Sequence, residues 1–516
     1  MGSLREDLGT GRDVRETHIS LVFMDRDSVW KIKKPVNFGF LDFTSLDLRR
    51  AACEAEVHLN RRLAADVYRG VVPVWRGADG HYHVGPQKPG DELAEWAVAM
   101  RRLRDATRAD ELLRLNQLSP GHVQRLARHL AQFHGSAHAD SSIAQFGEVE
   151  VILRNVQENF EQTREALPNY LSSAEARELE MRQLSFIEQH ADWLRQRAAE
   201  GYIRDCHGDL RLEHVYFEQA IQVIDCIEFN DRFRYGDTCS DLAFLAMDLT
   251  HHERNDLAEL LVAQYAQEAG DYSMFRVLDF YESYRAMVRA KVTILSQPSS
   301  AQPDARASRR NAEARRYLLH ALASQRSFVV PQRLVAVGGL IASGKSTVSK
   351  RLRHLLHCPV VDSDRTRKTL HRVGYTDRLA HGAFDGAYSQ EATERVYDAV
   401  FERADHVLQS GRSVIVDASF RRAAQRARLG ELAKRHGIPF TFIECSVPRS
   451  TALQRLQKRA QAPSISDGDL QVYDRFAATW EQVDELPPEA HLRLNTAQPT
   501  STVERRLREL FAPEAR

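Results

Sequence analysis

The sequence lacks the features that would restrict the protein to a specialised class. It has 6 cysteines among 516 residues, and no two form a Cys-x-x-Cys pair, which argues against a disulfide scaffold or a zinc site. No apolar run approaches the ~18 residues that a membrane span requires. The 71 basic and 71 acidic residues leave no net charge. We therefore expect a cytoplasmic protein with no membrane partner, and the balanced charge argues against nucleic acid as the main partner.

The length predicts more than one domain, because single hydrophobic cores stop growing well below 516 residues. A polar break, Pro-Ser-Ser-Ala-Gln-Pro, occupies residues 298–303, and residues 305–325 after it have a helical composition. A short tether then leads to Pro331. We therefore predict one domain over residues 1–328 and a second over residues 329–516.

The predicted secondary structure of the first domain changes along its length from strands to helices. Alternating and apolar runs predict strands within residues 17–33, 71–74 and 95–100, whereas helical periodicity covers residues 46–63, 121–134, 151–165 and 174–200. The prediction is a bilobal α+β fold, with a strand-rich small lobe over about residues 1–100 and a helical large lobe over about residues 101–328.

A nucleotide-binding motif stands at the start of the second domain. Residues 339–346 read Gly-Leu-Ile-Ala-Ser-Gly-Lys-Ser and follow the apolar run 334–338, which is the order of strand, loop and helix that a P-loop needs. Lys345 is expected to reach the β- and γ-phosphates and Ser346 to ligate magnesium. The alternative is an unused turn. The predicted ATP-binding residues are Gly339, Ala342, Ser343, Gly344, Lys345, Ser346 and Thr347, with ATP and Mg²⁺ as cofactors.

Two further strands of this α/β domain end in acidic residues. The strand predicted at 358–361 leads to Asp364 and Arg367, and open parallel sheets bind ligands at that end. Asp364 is expected to accept a proton from a substrate hydroxyl, and Arg367 to bind an anionic group of the acceptor. The strand at 413–416 ends in Asp417, which either holds the magnesium ion or caps a helix.

A basic helix follows a third strand. Residues 440–444 form the predicted strand, and Arg455 and Arg459 lie four residues apart on the helix predicted at 453–460. That spacing puts both side chains on one face. They either cover the phosphates as a lid or belong to a solvated surface helix.

Residues 332–516 are similar to the small-molecule kinase branch of P-loop proteins, which includes gluconate and shikimate kinases and polynucleotide 5′-kinase domains. The sequence Ser363-Asp364-x-x-Arg367 matches the acceptor-side motif of several of these families. The resemblance implies a parallel sheet flanked by helices and transfer of the γ-phosphoryl group of ATP to a hydroxyl, with Lys345 and Asp364 as catalytic residues.

The first domain carries its own candidate site. Residues 207–214 read His-Gly-Asp-Leu-Arg-Leu-Glu-His, and the predicted strands 215–217 and 221–224 follow and end in Asp225. Two carboxylates that flank a hairpin can divide the work between proton acceptance and metal binding. The segment resembles the catalytic and metal-binding loops of aminoglycoside phosphotransferase-like kinases, whose pattern is H-x-D-x-x-x-x-N followed by an aspartate.

By this resemblance Asp209 is the catalytic base, Asp225 is a magnesium ligand and His207 braces the loop. His214 occupies the position of the second metal ligand, where the pattern has asparagine. Imidazole is a poor ligand for magnesium, which prefers oxygen. The alternative is therefore a first domain that keeps the fold but transfers little or no phosphate.

The nucleotide-binding lysine of the first domain is Lys31 by the same resemblance, and Glu56 is its partner. Lys33 is an alternative, because strand alternation puts it on the same face. Residues 95–100 are then the hinge against which adenine stacks. No G-x-G-x-x-G motif precedes Lys31. The wider run of residues 17–63 resembles a subfamily that fuses such a domain to a C-terminal P-loop kinase. Asp237 and Asp241 are interpreted as helix-start residues.

Together these features predict an ATP-dependent phosphotransferase with a small-molecule hydroxyl acceptor and a possible second activity in the first domain. One alternative is a kinase of nucleic-acid 5′ ends. Another is an ATP-gated regulatory or binding protein with an inactive first domain. No motif identifies the acceptor or the oligomeric state.

Overall fold

The structure is a computed structural model that describes residues 2–39, 41–296, 305–325, 331–377, 386–459 and 470–511, together with residues 379, 461 and 465. The polar break predicted at 298–303 lies outside the described residues. By its contacts the chain forms two compact units. The first contains Met1–Glu253 and Tyr281–Ala321, and the second contains Arg254–Phe280 and Leu322–Arg516.

The first unit begins with a six-stranded antiparallel sheet in the order β1-β2-β3-β6-β4-β5. Its strands are β1 (Asp13–Glu16), β2 (Ser20–Met24), β3 (Ser28–Lys33), β4 (Tyr68–Arg76), β5 (Tyr82–Val84) and β6 (Glu92–Arg101), and its helices are α1 (Gly2–Gly9) and α2 (Leu46–Ala64). Ser45 caps α2 by accepting the backbone N–H of Leu48 at 3.2 Å.

The alternation of side chains along β3 determines which of them face α2. Val29 packs in the same core as Cys53 and Val57 of α2, whereas Ile32 packs in the core of the opposite sheet face. Successive side chains of a strand point to opposite faces. Lys31 and Lys33 therefore share the face of Val29 and point toward α2.

The rest of the first unit is mainly helical, as predicted. Its helices are α3 (Ala109–Arg114), α4 (Pro120–Ser136), α5 (Ser141–Ala144), α6 (Val149–Thr163), α7 (Ser173–Gln189), α8 (Ala191–Ala199), α9 (Asp231–Arg234), α10 (Thr238–His251), most of α12 (Phe275–Leu295) and α13 (Ala305–Ala323). The strands β7 (Ile203–Asp205), β8 (Val215–Phe217), β9 (Ile221–Val223) and β10 (Tyr235–Asp237) form the antiparallel pairs β7 with β10 and β8 with β9. The helix predicted at 174–200 is two helices, because His190 ends α7.

The second unit contains a five-stranded parallel sheet in the order β12-β13-β11-β14-β15. Its strands are β11 (Leu334–Gly338), β12 (Val360–Asp362), β13 (Val414–Asp417), β14 (Phe440–Ser446) and β15 (His491–Asn495). Its helices are α11 (Asn255–Ala269), α14 (Lys345–Leu356), α15 (Ser363–Leu370), α16 (Gln390–Gln409), α17 (Ala423–Arg435), α18 (Arg449–Arg459), α19 (Leu470–Ala478) and α20 (Thr500–Phe511). Buried Val335, Ile415 and Ile443 fill the core. The predicted α/β class is confirmed.

The segment Arg254–Phe280 groups with the second unit, although it precedes the predicted boundary at 328/329. The hydroxyl of Tyr272 donates to the carbonyl oxygen of Val360 at 2.6 Å. Arg412 forms ion pairs with Glu259 and Asp279. A polar break in the sequence indicates a linker, but it does not reveal which segments pack together. The sequence therefore did not predict that Arg254–Phe280 packs with the second unit. None of the described helices is long and apolar enough to cross a membrane.

Candidate active sites

The loop between β11 and α14 has the backbone of a phosphate-binding turn. Gly339 has φ 132°, and a Cβ there would lie 2.3 Å from the carbonyl oxygen of Cys445, so only glycine fits. The Nζ atom of Lys345 donates to the carbonyls of Gly339 at 3.1 Å and Leu340 at 2.9 Å. Ser343 is buried, and its hydroxyl has no hydrogen-bond partner among the described residues. The loop thus holds polar groups that a phosphate can satisfy.

Three carboxylates lie at the carboxyl edge of the sheet beside this loop. Asp362 and Asp417 end the adjacent strands β12 and β13 and are direct partners in the parallel register. Asp364 follows in the first turn of α15, which Asp362 caps by accepting the backbone N–H of Arg365 at 2.8 Å. Helix α17 begins at Ala423, six residues after Asp417, so the helix-capping alternative for Asp417 is wrong.

The proximity of these carboxylates changes their protonation. Burial, together with the charges of Asp417 and Asp364, raises the pKa of Asp362 to about 7. Burial also raises the pKa of Asp417 to about 6, although Lys345 and the hydroxyl of Ser346 oppose the shift. A divalent cation between these oxygens would relieve the repulsion. The donor set consists of carboxylate and hydroxyl oxygens, which is what magnesium prefers.

Arg455 reaches the P-loop from α18. Its guanidinium donates to the carbonyl of Ala342 at 3.2 Å and to the carbonyl of Thr496 at 2.7 Å. Arg459 lies one turn further along, at the end of α18. Thr347 lies in the first turn of α14, where its N–H bonds to the carbonyl of Gly344. Arg455 is therefore at the nucleotide side of the site, which is consistent with the predicted lid; its role stays a prediction.

Arg367 is more enclosed than its predicted role in acceptor binding implies. Its guanidinium donates to the carbonyl of Ala387 and lies 4.4 Å from the ring centroid of Tyr388. Its Nε atom is buried without a hydrogen-bond partner in the described part of the chain. Arg367 thus holds the segment after α15 and keeps one N–H available.

In the first unit the predicted catalytic loop is fixed by a carboxylate of α10. Asp241 accepts the backbone N–H groups of His207 and Gly208, each at 2.9 Å. The Nε2 atom of His207 hydrogen-bonds to the carbonyl of Ile224 at 3.0 Å, so His207 braces the loop as expected. Gly208 has φ 85°, and a Cβ would lie 2.8 Å from the carbonyl oxygen of Phe233. The loop therefore presents the next residue, Asp209, in one conformation.

His214 lies between Asp209, the predicted base, and Asp225, the predicted magnesium ligand. Its Nδ1 atom hydrogen-bonds to the carbonyl of Asp209 at 2.9 Å, and its Nε2 atom lies 3.6 Å from Oδ2 of Asp225. Burial raises the pKa of Asp209, but the charges of Arg211 and His214 outweigh it and the net shift is downward. Since a carbonyl oxygen only accepts, Nδ1 of His214 carries a proton, and Nε2 faces Asp225.

Both predicted lysines bind the same glutamate. Lys31 contacts Oε1 of Glu56 at 2.9 Å and Oδ1 of Asp225 at 2.5 Å. Lys33 contacts Oε2 of Glu56 at 2.5 Å and also pairs with Glu228. Lys33 has no exposed surface, whereas Lys31 borders the partly exposed Asp225. Lys31 is thus the lysine that can meet a ligand, and Lys33 is enclosed.

The predicted hinge at residues 95–100 is wrong. These residues lie inside β6, where β4 pairs with all of them and β3 pairs with residues 97–100 on the other side. Their backbone groups are therefore used by the sheet. The connection to the helical lobe comes only after Arg101, where β6 ends.

Comparisons with known proteins agree with two separate domains. The profile of the phosphotransferase enzyme family matches residues 40–281, and that of an AAA domain matches residues 334–483. Uncharacterized proteins of Mycobacterium bovis and Mycobacterium tuberculosis are 32% identical over 459 residues, which are 89% of this chain and 88% of each relative. The chain belongs to this family of two-domain phosphotransferases.

Among solved structures, kinases match parts of the chain. A putative kinase from Chloroflexus aurantiacus is 20% identical with a TM-score of 0.28 and covers 35% of this chain and 98% of its own. A choline/ethanolamine kinase family protein from Mesorhizobium loti is 13% identical with a TM-score of 0.35 and covers 61% of this chain and 92% of its own.

The sequence analysis did not predict the site contacts of several residues in the phosphotransferase domain and the P-loop domain. Glu228 pairs with Lys33, Asp241 holds the catalytic loop, and Asp362 joins the acidic edge. Thr496 accepts from Arg455 and donates to the P-loop carbonyl of Ser343. The signal for Asp362 was in the sequence, since it ends a buried strand. Glu228 lies in an irregular segment, where no periodicity indicates the direction of a side chain. Asp241 is in the first turn of α10 and Thr496 directly follows β15, but their partners are distant in sequence, so no local pattern reveals these contacts.

Proposed function

We propose that the chain is an ATP- and Mg²⁺-dependent kinase whose P-loop domain transfers the γ-phosphoryl group to a hydroxyl of a small molecule. The phosphotransferase domain is proposed to be a second kinase. The observation that carries the proposal is the pair Asp362 and Asp417, in register at the carboxyl edge of the sheet beside Lys345 and Ser346. Two crowded carboxylates beside a P-loop are the parts that hold a nucleotide-bound cation.

In the P-loop domain each residue has a distinct role. Lys345 and the loop N–H groups bind the phosphates, and Ser346 with Asp417 would hold Mg²⁺, which neutralises charge on the transferred group. Asp364 accepts the proton of the acceptor hydroxyl. Arg455 is close enough to the loop to stabilise charge that develops on the equatorial oxygens.

In the phosphotransferase domain Asp209 is the proposed base, because the loop fixes it and its lowered pKa keeps it ionised. Lys31, oriented by Glu56, binds the nucleotide phosphates. Asp225 would hold Mg²⁺, and its φ of 67° turns its side chain back toward Lys31. His214 orients Asp209 through the backbone contact.

The test is to incubate a small-molecule extract with γ-labelled ATP and the full chain, then to identify labelled products by mass spectrometry. The variants are Lys345→Ala for the P-loop domain and Asp209→Asn for the phosphotransferase domain. Each is expected to lower one activity about 10²–10⁴-fold and to leave the other. Lys350→Ala is the matched control, because Lys350 is exposed on the same helix as Lys345.

The outcomes separate the alternatives. A product lost only in Lys345→Ala assigns a kinase to the P-loop domain. A product lost only in Asp209→Asn shows that the phosphotransferase domain is active with His214 in the asparagine position. Label on the 5′ ends of added oligonucleotides would favour the nucleic-acid alternative. Unchanged products in Lys345→Ala would contradict the assignment, and tight ATP binding without any product would favour a regulatory protein.

A further inference from the structure

Two arginines from different elements approach the proposed base of the phosphotransferase domain. The Nε atom of Arg211 lies 3.4 Å from Oδ1 of Asp209. Arg289 comes from α12, one turn after Arg285, whose Nη1 donates to the carbonyl of Gly208 at 3.2 Å. Residues four apart share one face of a helix. Arg289 therefore lies on the face of α12 that meets the catalytic loop.

Arg289 has no direct ion pair within the described residues, whereas Arg211 beside it does. Arg211 pairs with Asp209 and Glu213. In contrast, Arg289 lies 5.6 Å from the ring centroid of Tyr317, and among the described residues its buried Nε has no hydrogen-bond partner and its guanidinium has no ion pair. Burial opposes the charge, but Tyr317 and the more distant Asp209 and Asp248 outweigh it and raise the pKa of Arg289, so the guanidinium is charged. An anion bound there would give this charge a direct partner.

The surroundings of Arg289 favour an anion from outside the protein. On α10, Asp248 already accepts the backbone N–H of Leu212 at 2.9 Å, and His251 stacks on Tyr317 with centroids 3.9 Å apart. Burial and the nearby arginines lower the pKa of His251 to about 3. The imidazole is therefore neutral at physiological pH, and the arginines remain the groups that attract an anion.

We propose that the acceptor of the phosphotransferase domain carries an anionic group, a phosphate or a carboxylate, that binds between Arg211 and Arg289 while its hydroxyl faces Asp209. This inference rests on the proposed kinase function of that domain. Arginine suits the role, because its planar fork binds phosphate and carboxylate through two parallel hydrogen bonds.

The reaction leaves the anionic group unchanged. The acceptor oxygen forms a bond to the γ-phosphorus of ATP, and the bond between that phosphorus and the β,γ-bridging oxygen breaks. The hydroxyl proton moves to Asp209, and ADP leaves with the electron pair of the broken bond. Arg211 and Arg289 hold the acceptor in line for this transfer, so their contribution is to acceptor binding.

The experiment uses the full chain with Lys345→Ala throughout, which silences the P-loop domain. A small-molecule extract is separated by ion exchange into anionic, neutral and cationic fractions, and each is incubated with γ-labelled ATP. Label is expected in the anionic fraction, and Asp209→Asn should abolish it. Treating that fraction with alkaline phosphatase beforehand removes a phosphorylated acceptor and leaves a carboxylate acceptor, which distinguishes the two sources.

The role of Arg289 is then tested on the labelled acceptor. Arg289→Met is expected to raise the KM for the acceptor about 10- to 100-fold, the effect of losing a charge-assisted hydrogen bond, with the KM for ATP changed less than about twofold. Arg289→Lys keeps the charge and should recover part of the loss. Arg195→Gln, an exposed arginine paired with Asp192, is the matched control and should leave both constants unchanged.

Each result decides the question. Label only in the neutral or cationic fraction would overturn the anionic acceptor and leave the kinase function standing. Label in the anionic fraction with an unchanged KM in Arg289→Met would overturn the role of Arg289 and hence the proposed site. No label in any fraction would contradict the kinase function of this domain, and the inference with it.

Discussion

The two candidate sites hold the aspartates proposed to bind metal in opposite electrostatic states. Burial opposes ionisation at both sites, but in the phosphotransferase domain the cations outweigh it, and the pKa of Asp225 falls below its ordinary value because of Lys31 and His214. In the P-loop domain burial and mutual repulsion dominate, and they raise the pKa of Asp362 to about 7 and that of Asp417 to about 6. The protein itself compensates the charge of the first site, whereas the second has two crowded carboxylates that a cation from solution would compensate.

The comparison also shows how each site is held in place. In the phosphotransferase domain two lysines share Glu56 and extend to Asp225 and Glu228, so ion pairs fix the geometry. In the P-loop domain the strand register fixes it, because the backbone of the parallel sheet brings Asp362 and Asp417 together. Substitutions should therefore disturb the two sites in different ways.

The largest expected effect on stability comes from Lys33→Met in the ion-pair network. Lys33 and Glu56 have no exposed side-chain surface, and Glu228 has 4%. The variant leaves Glu228 without its lysine and Glu56 with Lys31 alone, and breaking a buried pair in this way costs about 3–5 kcal/mol. Hydrogen exchange of the β3 and α2 amides would measure the loss of local stability.

Lys34→Met is the matched control for that experiment. Lys34 is the next residue and pairs with Glu16, whose side chain is 43% exposed. Surface ion pairs contribute about 0–1 kcal/mol, so the control should change the exchange rates little. Equal effects of the two variants would contradict the view that the buried network holds the first site together.

The sequence predicted the elements of both sites better than their contacts. The P-loop pattern, the strands that lead to Asp364 and Asp417, and the face shared by Lys31 and Lys33 all follow from local rules of spacing and alternation. Glu228 lies three residues after Asp225 in an irregular segment, where no periodicity indicates which way a side chain points. The packing of Arg254–Phe280 depends on residues far away in sequence, such as Arg412, so no local pattern could reveal it.

The second prediction tests the opposite electrostatics directly, with the same substitution at both sites in the absence of Mg²⁺. At pH 8 Asp417→Asn should stabilise the β13 region by on the order of 1–3 kcal/mol, because it removes a carboxylate whose ionisation is unfavourable. Asp225→Asn should instead destabilise the β3 region by about 1 kcal/mol, since Lys31 loses a partner that is partly exposed and keeps Glu56. Hydrogen exchange of the β13 and β3 amides would show whether each variant gains or loses local stability.

The control for this comparison is Asp398→Asn, at an exposed residue on α16 that pairs with Arg428 at the surface. It should change exchange at β13 by less than about 0.5 kcal/mol. If Asp417→Asn destabilised β13, then Asp417 would be compensated within the protein, and the contrast between the two sites would be lost.

The smallest expected effect is a pH-dependent stabilisation of the P-loop domain by Mg²⁺. The folded-state pKa values of Asp362 and Asp417, about 7 and about 6, exceed the ordinary value of about 4. Between these values the folded state keeps protons that the unfolded state has lost. Without metal, the stability that these groups contribute is therefore complete below about pH 4 and is lost as the pH rises through 6 and 7.

Scanning calorimetry with EDTA should accordingly show the transition of the P-loop domain falling between pH 5 and pH 8 by about 2–4 °C for each kcal/mol lost. Mg²⁺ should raise that transition more at pH 8 than at pH 5, because the ion binds the ionised carboxylates and competes with protons at the lower pH. Asp417→Asn should weaken the pH dependence of the transition temperature in EDTA and the pH dependence of its increase by Mg²⁺. An equal shift by Mg²⁺ at the two pH values would mean that these carboxylates do not bind the ion, since a metal held by Asp362 and Asp417 must displace the protons that burial retains there.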